Sequence, residues 1–129
     1  MIVNNNNLES PKELMKSKIN IHVLDEIKIL ISLYCKNIEL CMDYSNPSSF
    51  SFDENEAKAL CALSNTYLNS IINLSDTWEV NRIQEIMSFI DKAKYFDIYF
   101  EKLINAPNES NFSFLEQVYD GLIVHANEI

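Results

Sequence analysis

Four carboxylates crowd into DYSNPSSFSFDENE (residues 43–56), together with two phenylalanines, a proline and no cation. Asp43, Asp53, Glu54 and Glu56 stand beside Tyr44, Phe50 and Phe52. Such a cluster attracts basic groups over a distance through its charge, while the aromatic rings supply contact area once a partner arrives. The same residues also have a structural use. Asp53 and Glu56 are spaced as a helix capping box, Phe52 precedes that cap as a hydrophobic staple would, and Phe50 is placed to tuck under the helices. The two uses are compatible, because a loop over a helix start also faces solvent.

Other residues with chemical potential are sparse. His22 stands four residues before Glu26, close enough on one helical face to share a metal, but two ligands make a poor site and no Glu-x-x-His pair accompanies them. His125 has no evident partner, and no metal or other cofactor is expected. A helical histidine in a bundle resembles the phosphotransfer domains, yet His22-Val23-Leu24-Asp25-Glu26 puts acids where that motif carries Lys and Gly, and carboxylates would repel a phosphoryl group. Cys35, Cys41 and Cys61 match no zinc or redox spacing and sit among apolar residues, as small buried hydrophobes in a reducing compartment do. Gly121 is the only glycine, so no phosphate-cradling loop is available. Its place within a helical pattern suggests close packing against a neighbouring helix or an early helix end. In YFDIYF (95–100), Phe96 and Phe100 share a core face with Phe89, Ala93 and Leu103. Tyr95 and Tyr99 lie on a different face among charges, where interfaces favour tyrosine.

The elements that must position these residues are helices. Helix-start signals recur at Ser10–Glu13, Asp53–Glu56, Asp76–Glu79 and Ser113–Glu116, each a side-chain oxygen followed three residues later by Glu. Apolar residues follow at three- and four-residue steps: Leu24, Ile27, Ile31, Tyr34, Ile38 and Cys41 in the first stripe, and Leu60, Cys61, Tyr67, Leu68, Ile71 and Ile72 in the second. Ile83, Ile86, Met87, Ile90 and Ala93 form a third, and Leu115, Val118, Tyr119, Leu122, Ile123 and Ala126 a fourth. The expectation is an all-α, four-helix bundle with helices near 11–44, 53–74, 77–105 and 113–127. KINIHV (18–23) alternates apolar and polar residues as a strand would, so the first helix is expected either to run through or to split near Asn20. Residues 1–9 read as a frayed terminus and 10–129 as one domain.

Charge narrows the function. The net charge is −9 and its distribution is uneven: residues 37–81 set seven carboxylates against Lys58 alone, and the last 27 residues contain no Lys or Arg. A surface of this sign repels nucleic acid and anionic lipid and attracts basic proteins. No run of apolar residues is long enough to span a bilayer and the N-terminus lacks a signal-peptide layout, so a cytoplasmic protein is expected.

In size, acidity, helicity and the cluster Asp43, Asp53, Glu54 and Glu56 beside Tyr44, Phe50 and Phe52, the chain resembles the small immunity proteins of bacterial toxin–immunity pairs. The resemblance is one of class and matches no motif. It implies a non-enzymatic inhibitor that occludes the positively charged cleft of a cognate basic toxin, often a nuclease. Asp43, Tyr44, Phe50, Asp53, Glu54, Glu56, Tyr95 and Tyr99 are the candidate contact residues, on a monomer or homodimer. The alternative is a secretion chaperone or regulatory adaptor, and the alternating KINIHV segment is the feature that leans towards it.

Overall fold

A computed structural model describes the backbone of residues 11–77 and 82–129, and the side chains of residues 24–76 and 82–129. Four α-helices account for most of it: α1 (Pro11–Asp43), α2 (Glu54–Asn73), α3 (Ile83–Asn105) and α4 (Glu109–Asn127), with a short 3-10 turn at Ser75–Thr77 before α3. No strand forms among the described residues. The expected all-helical bundle is what the chain builds.

KINIHV lies within α1, which continues unbroken past Asn20. Between Pro11 and Asp43 there is no further proline and no glycine to interrupt the ladder of backbone hydrogen bonds. Pro11 occupies the first helical position, where its missing N–H costs nothing. The proposed cap at Ser10, the frayed residues 1–9 and the side chain of His22 lie outside the described residues.

Two of the expected helix starts hold differently. Asp53 is the N-cap of α2, its side chain accepting from the Glu56 N–H at 3.0 Å. α4, however, begins at Glu109 rather than near Ser113. Asn108 caps it, accepting from the Asn111 N–H at 2.8 Å, while Asn111 Nδ2 reaches back to the Ala106 carbonyl at 2.9 Å. An asparagine directly after Pro107 provides the cap oxygen one turn earlier, and Ser113 becomes an interior residue. α3 begins at Ile83 rather than near 77. Asp76 is spent in the 3-10 turn, and Arg82 stands at the start of α3 without a side-chain cap.

α1 packs along α2, and α3 along α4, as the two closest helix pairs. The first and second stripes supply Ile27, Ile31, Tyr34, Ile38, Cys41, Cys61, Leu68 and Ile71 to a single core. α3 adds Ile86, Phe89, Ile90, Ala93, Phe96, Phe100 and Leu103, and α4 adds Leu115 and Leu122. One aromatic contact joins the two pairs, the Tyr34 and Phe89 rings meeting edge to face at 5.4 Å between centroids, while within α3 Phe96 stacks on Phe100 at 6.1 Å. Met87, expected in the third stripe, is 52% exposed instead. Among the described residues, no helix is long and apolar enough to cross a membrane. α4 contributes least to the core, and that leaves both of its flanks available.

Candidate functional site

The 44–53 connection between α1 and α2 is held by its own polar groups. Ser51 Oγ donates to the Asp43 carbonyl at 2.9 Å, the Ser48 N–H to Asn46 Oδ1 at 2.9 Å, and the Asp53 N–H to the Tyr44 carbonyl at 3.0 Å. Beneath it, the fully buried Ser45 donates to the Cys41 carbonyl at 2.6 Å. Ser48 Oγ donates across to Glu109 Oε1 at 2.9 Å, which ties the loop to the start of α4. A serine-rich loop can be rigid when each hydroxyl has a backbone or carboxylate partner nearby, as here.

α1, the loop and α4 surround one groove of about 520 Å³. Glu39 and Asp43 of α1 line one wall; Glu116 and Asp120 of α4 line the other, and Asn46, Ser49 and Ser51 close the end. Phe112, Tyr119 and Met42 form its apolar part. The spacing is that of helical faces, with 39 and 43 one turn apart on α1 and 112, 116, 119 and 120 successive on α4. Among the described residues no Lys, Arg or His lines it, and the ion pairs, Glu54–Lys58 and His125–Glu128, lie elsewhere. The Tyr119 phenol registers the resulting field. Burial first, then the charges of Glu39, Asp120 and Asp43 with the nearby Cys35, hold its pKa above the usual tyrosine range.

The candidate contact residues separate into three places. Asp43 is a wall of the groove, and Tyr44 is half-buried against the core. Phe50 does not tuck under the bundle: it projects from the loop at 112% relative exposure, between Ser49 and Ser51, whose hydroxyls share a 2.8 Å hydrogen bond. Asp53 is occupied as a cap, Glu54 pairs with Lys58 at 3.3 Å, and Glu56 is exposed beside them. Tyr95 and Tyr99 belong to α3 and border the far flank of α4, and Lys92 and Lys102 of the same helix stand over their rings at 6.0 and 4.8 Å from the centroids. Tyr99 also packs against Phe114 at 6.4 Å. Glu39, Glu116 and Asp120 were not singled out from the sequence, and Tyr119 was read there only as part of the fourth apolar stripe. Their signal was the carboxylate spacing on two helices that come together only through the fold.

A second polar cluster is internal. Asn65 and Cys61 of α2 approach Asp97 Oδ1 of α3 at 3.2 and 3.5 Å. Burial raises the Asp97 pKa, and these two donors only partly offset it. The Tyr34 hydroxyl, wholly buried nearby, has no hydrogen-bond partner among the described residues. Burial pushes the Cys35 and Cys41 thiols up to about 11 and Cys61 further, so none is a ready thiolate at neutral pH. Among the described residues, no group of three or more His, Cys, Asp or Glu is arranged to hold a metal ion.

No protein-family model, curated protein or solved structure matches the chain at a significant level.

Proposed function

We propose that the chain is a stoichiometric, non-catalytic inhibitor that holds a basic protein partner, acting as the immunity protein of a toxin–immunity pair and covering the cationic cleft of a nuclease-type toxin. One observation carries this most: among the described residues the α1–α4 groove has four carboxylates and no counter-charge. Lysine or arginine side chains of a partner complete it electrostatically, and the loop holds it open before they arrive. Phe50, beside the groove on a hydrogen-bonded loop, is the apolar anchor. An exposed aromatic on a pre-ordered support loses little entropy on binding. Asp43 belongs to the groove wall, while Glu54 and Glu56 widen the negative field and steer the approach.

The secretion-chaperone alternative loses its one specific support, since KINIHV lies within a helix. The test is association kinetics with the captured partner. Replacing Asp43 and Asp120 with lysine should slow association at least tenfold at low salt and flatten its salt dependence. Unchanged kinetics would remove the groove from the interface.

A further inference from the structure

We propose that the opposite flank of α4 carries a second docking point, a slot at Gly121 that receives one uncharged aromatic side chain of the same basic partner. It rests on the partner-binding role of α4 given above.

Gly121 is the only glycine in the chain and lies well inside α4. A glycine inside a helix is destabilising relative to alanine, so it usually answers a packing need. None is found among the described residues, where a Cβ at Gly121 meets nothing within 4 Å. The helix does not end early either, and both structural roles expected of this glycine are thereby removed. What the missing side chain leaves is a slot of about 240 Å³ lined by Lys92, Tyr95, Tyr99, Gln117, Val118 and Gly121. That is below the roughly 300–1,000 Å³ of small-molecule pockets and suits a single side chain.

The lining selects the occupant. Tyrosine rings, Val118 and bare backbone favour an apolar or aromatic group, and Tyr95 is 53% exposed and free to pack against it. Lys92 and Lys102, held over the two tyrosines, repel the cations that the groove attracts. The two sites therefore divide the labour on one helix. Glu116 and Asp120 face the groove, Gln117 and Gly121 face the slot, and a partner seated across α4 places its cations on one side and a ring on the other.

Nuclear magnetic resonance on the full chain tests this with simple probes. Indole should shift the amide resonances of Gln117, Val118 and Gly121 in the wild type. The shifts should vanish in Gly121→Leu, a variant that fills the slot and strengthens the helix. Acetate at equal concentration should leave them in place. The slot is overturned if indole produces no shifts there, if they persist in Gly121→Leu, or if acetate produces the larger ones. Tetralysine probes the groove separately and should shift Glu116 and Asp120 in both proteins. If it does not while indole binds, the groove fails and with it the shared partner; if only indole fails, the slot alone is wrong.

Discussion

Asn65 of α2 donates from Nδ2 to Oδ1 of Asp97 on α3 over 3.2 Å, a polar link between the α1–α2 pair and the α3–α4 pair. The link has a cost, because burial raises the Asp97 pKa. A carboxyl whose folded pKa is raised binds its proton more tightly in the folded than in the unfolded chain. The stability so gained is present at acid pH and lost as the pH rises through the folded value, leaving a penalty at neutral pH. Asp97→Asn keeps an oxygen for Asn65 and removes the charge. It should raise the urea midpoint at pH 7, and the difference from wild type should shrink towards about pH 4, near the ordinary carboxylate range. A variant that is less stable than wild type at pH 7, by a margin that shrinks as the pH falls, would show that the charge itself is stabilising.

The Tyr34 hydroxyl is the companion case. Leaving a buried polar group unpaired costs about 1–3 kcal/mol. Tyr34→Phe retains the edge contact with Phe89 and should stabilise the bundle by on the order of 1 kcal/mol. Tyr34→Ala, which also removes the ring, should destabilise by about 3–5 kcal/mol. Chemical denaturation of the two variants checks both, and a destabilised Tyr34→Phe would reveal a hydrogen-bond partner at the hydroxyl.

Helix starts offer a sharper comparison. Asp53→Ala and Asn108→Ala should each cost about 0.5–2 kcal/mol, since each side chain accepts from an otherwise unpaired N–H. Ser113→Ala should be neutral or slightly stabilising, because that residue lies inside α4. Equal losses at 108 and 113 in thermal melts would place the start of α4 elsewhere.

Gly121→Ala should raise stability by about 0.5–1 kcal/mol, because the added methyl meets open space in a helical backbone. A calorimetric melt that falls instead would mean that this position is packed.

The bundle was legible from Ile27, Ile31, Tyr34, Ile38 and Cys41, whose three-four spacing reports one buried face however the rest of the chain is arranged. Helix ends were less so. Asp53 and Asn108 are both good caps, but Ser113–Glu116 offered a fuller pattern than Asn108, and a local pattern does not show which oxygen the chain turns towards a free N–H. The carboxylates of 43–56 were visible as a run, yet the fold disperses them: Asp43 joins the groove, Asp53 caps a helix and Glu54 pairs with Lys58. Glu39 and Asp120 are 81 positions apart and meet across a groove because α1 and α4 pack on one core, with Ser48 tying the loop to Glu109 at its end. Proximity of that kind is set by tertiary packing and leaves no short-range mark.

The most direct measurement is a paired capture from the native host, with wild-type protein and Asp43→Lys/Asp120→Lys as baits, washed first at low and then at high salt. The expected result is one basic protein retained at equal stoichiometry by the wild type, with a nuclease-like activity that the wild type suppresses, and lost from the variant. Retention of the same protein by both baits, or a retained partner that is acidic, would contradict binding through the α1–α4 groove.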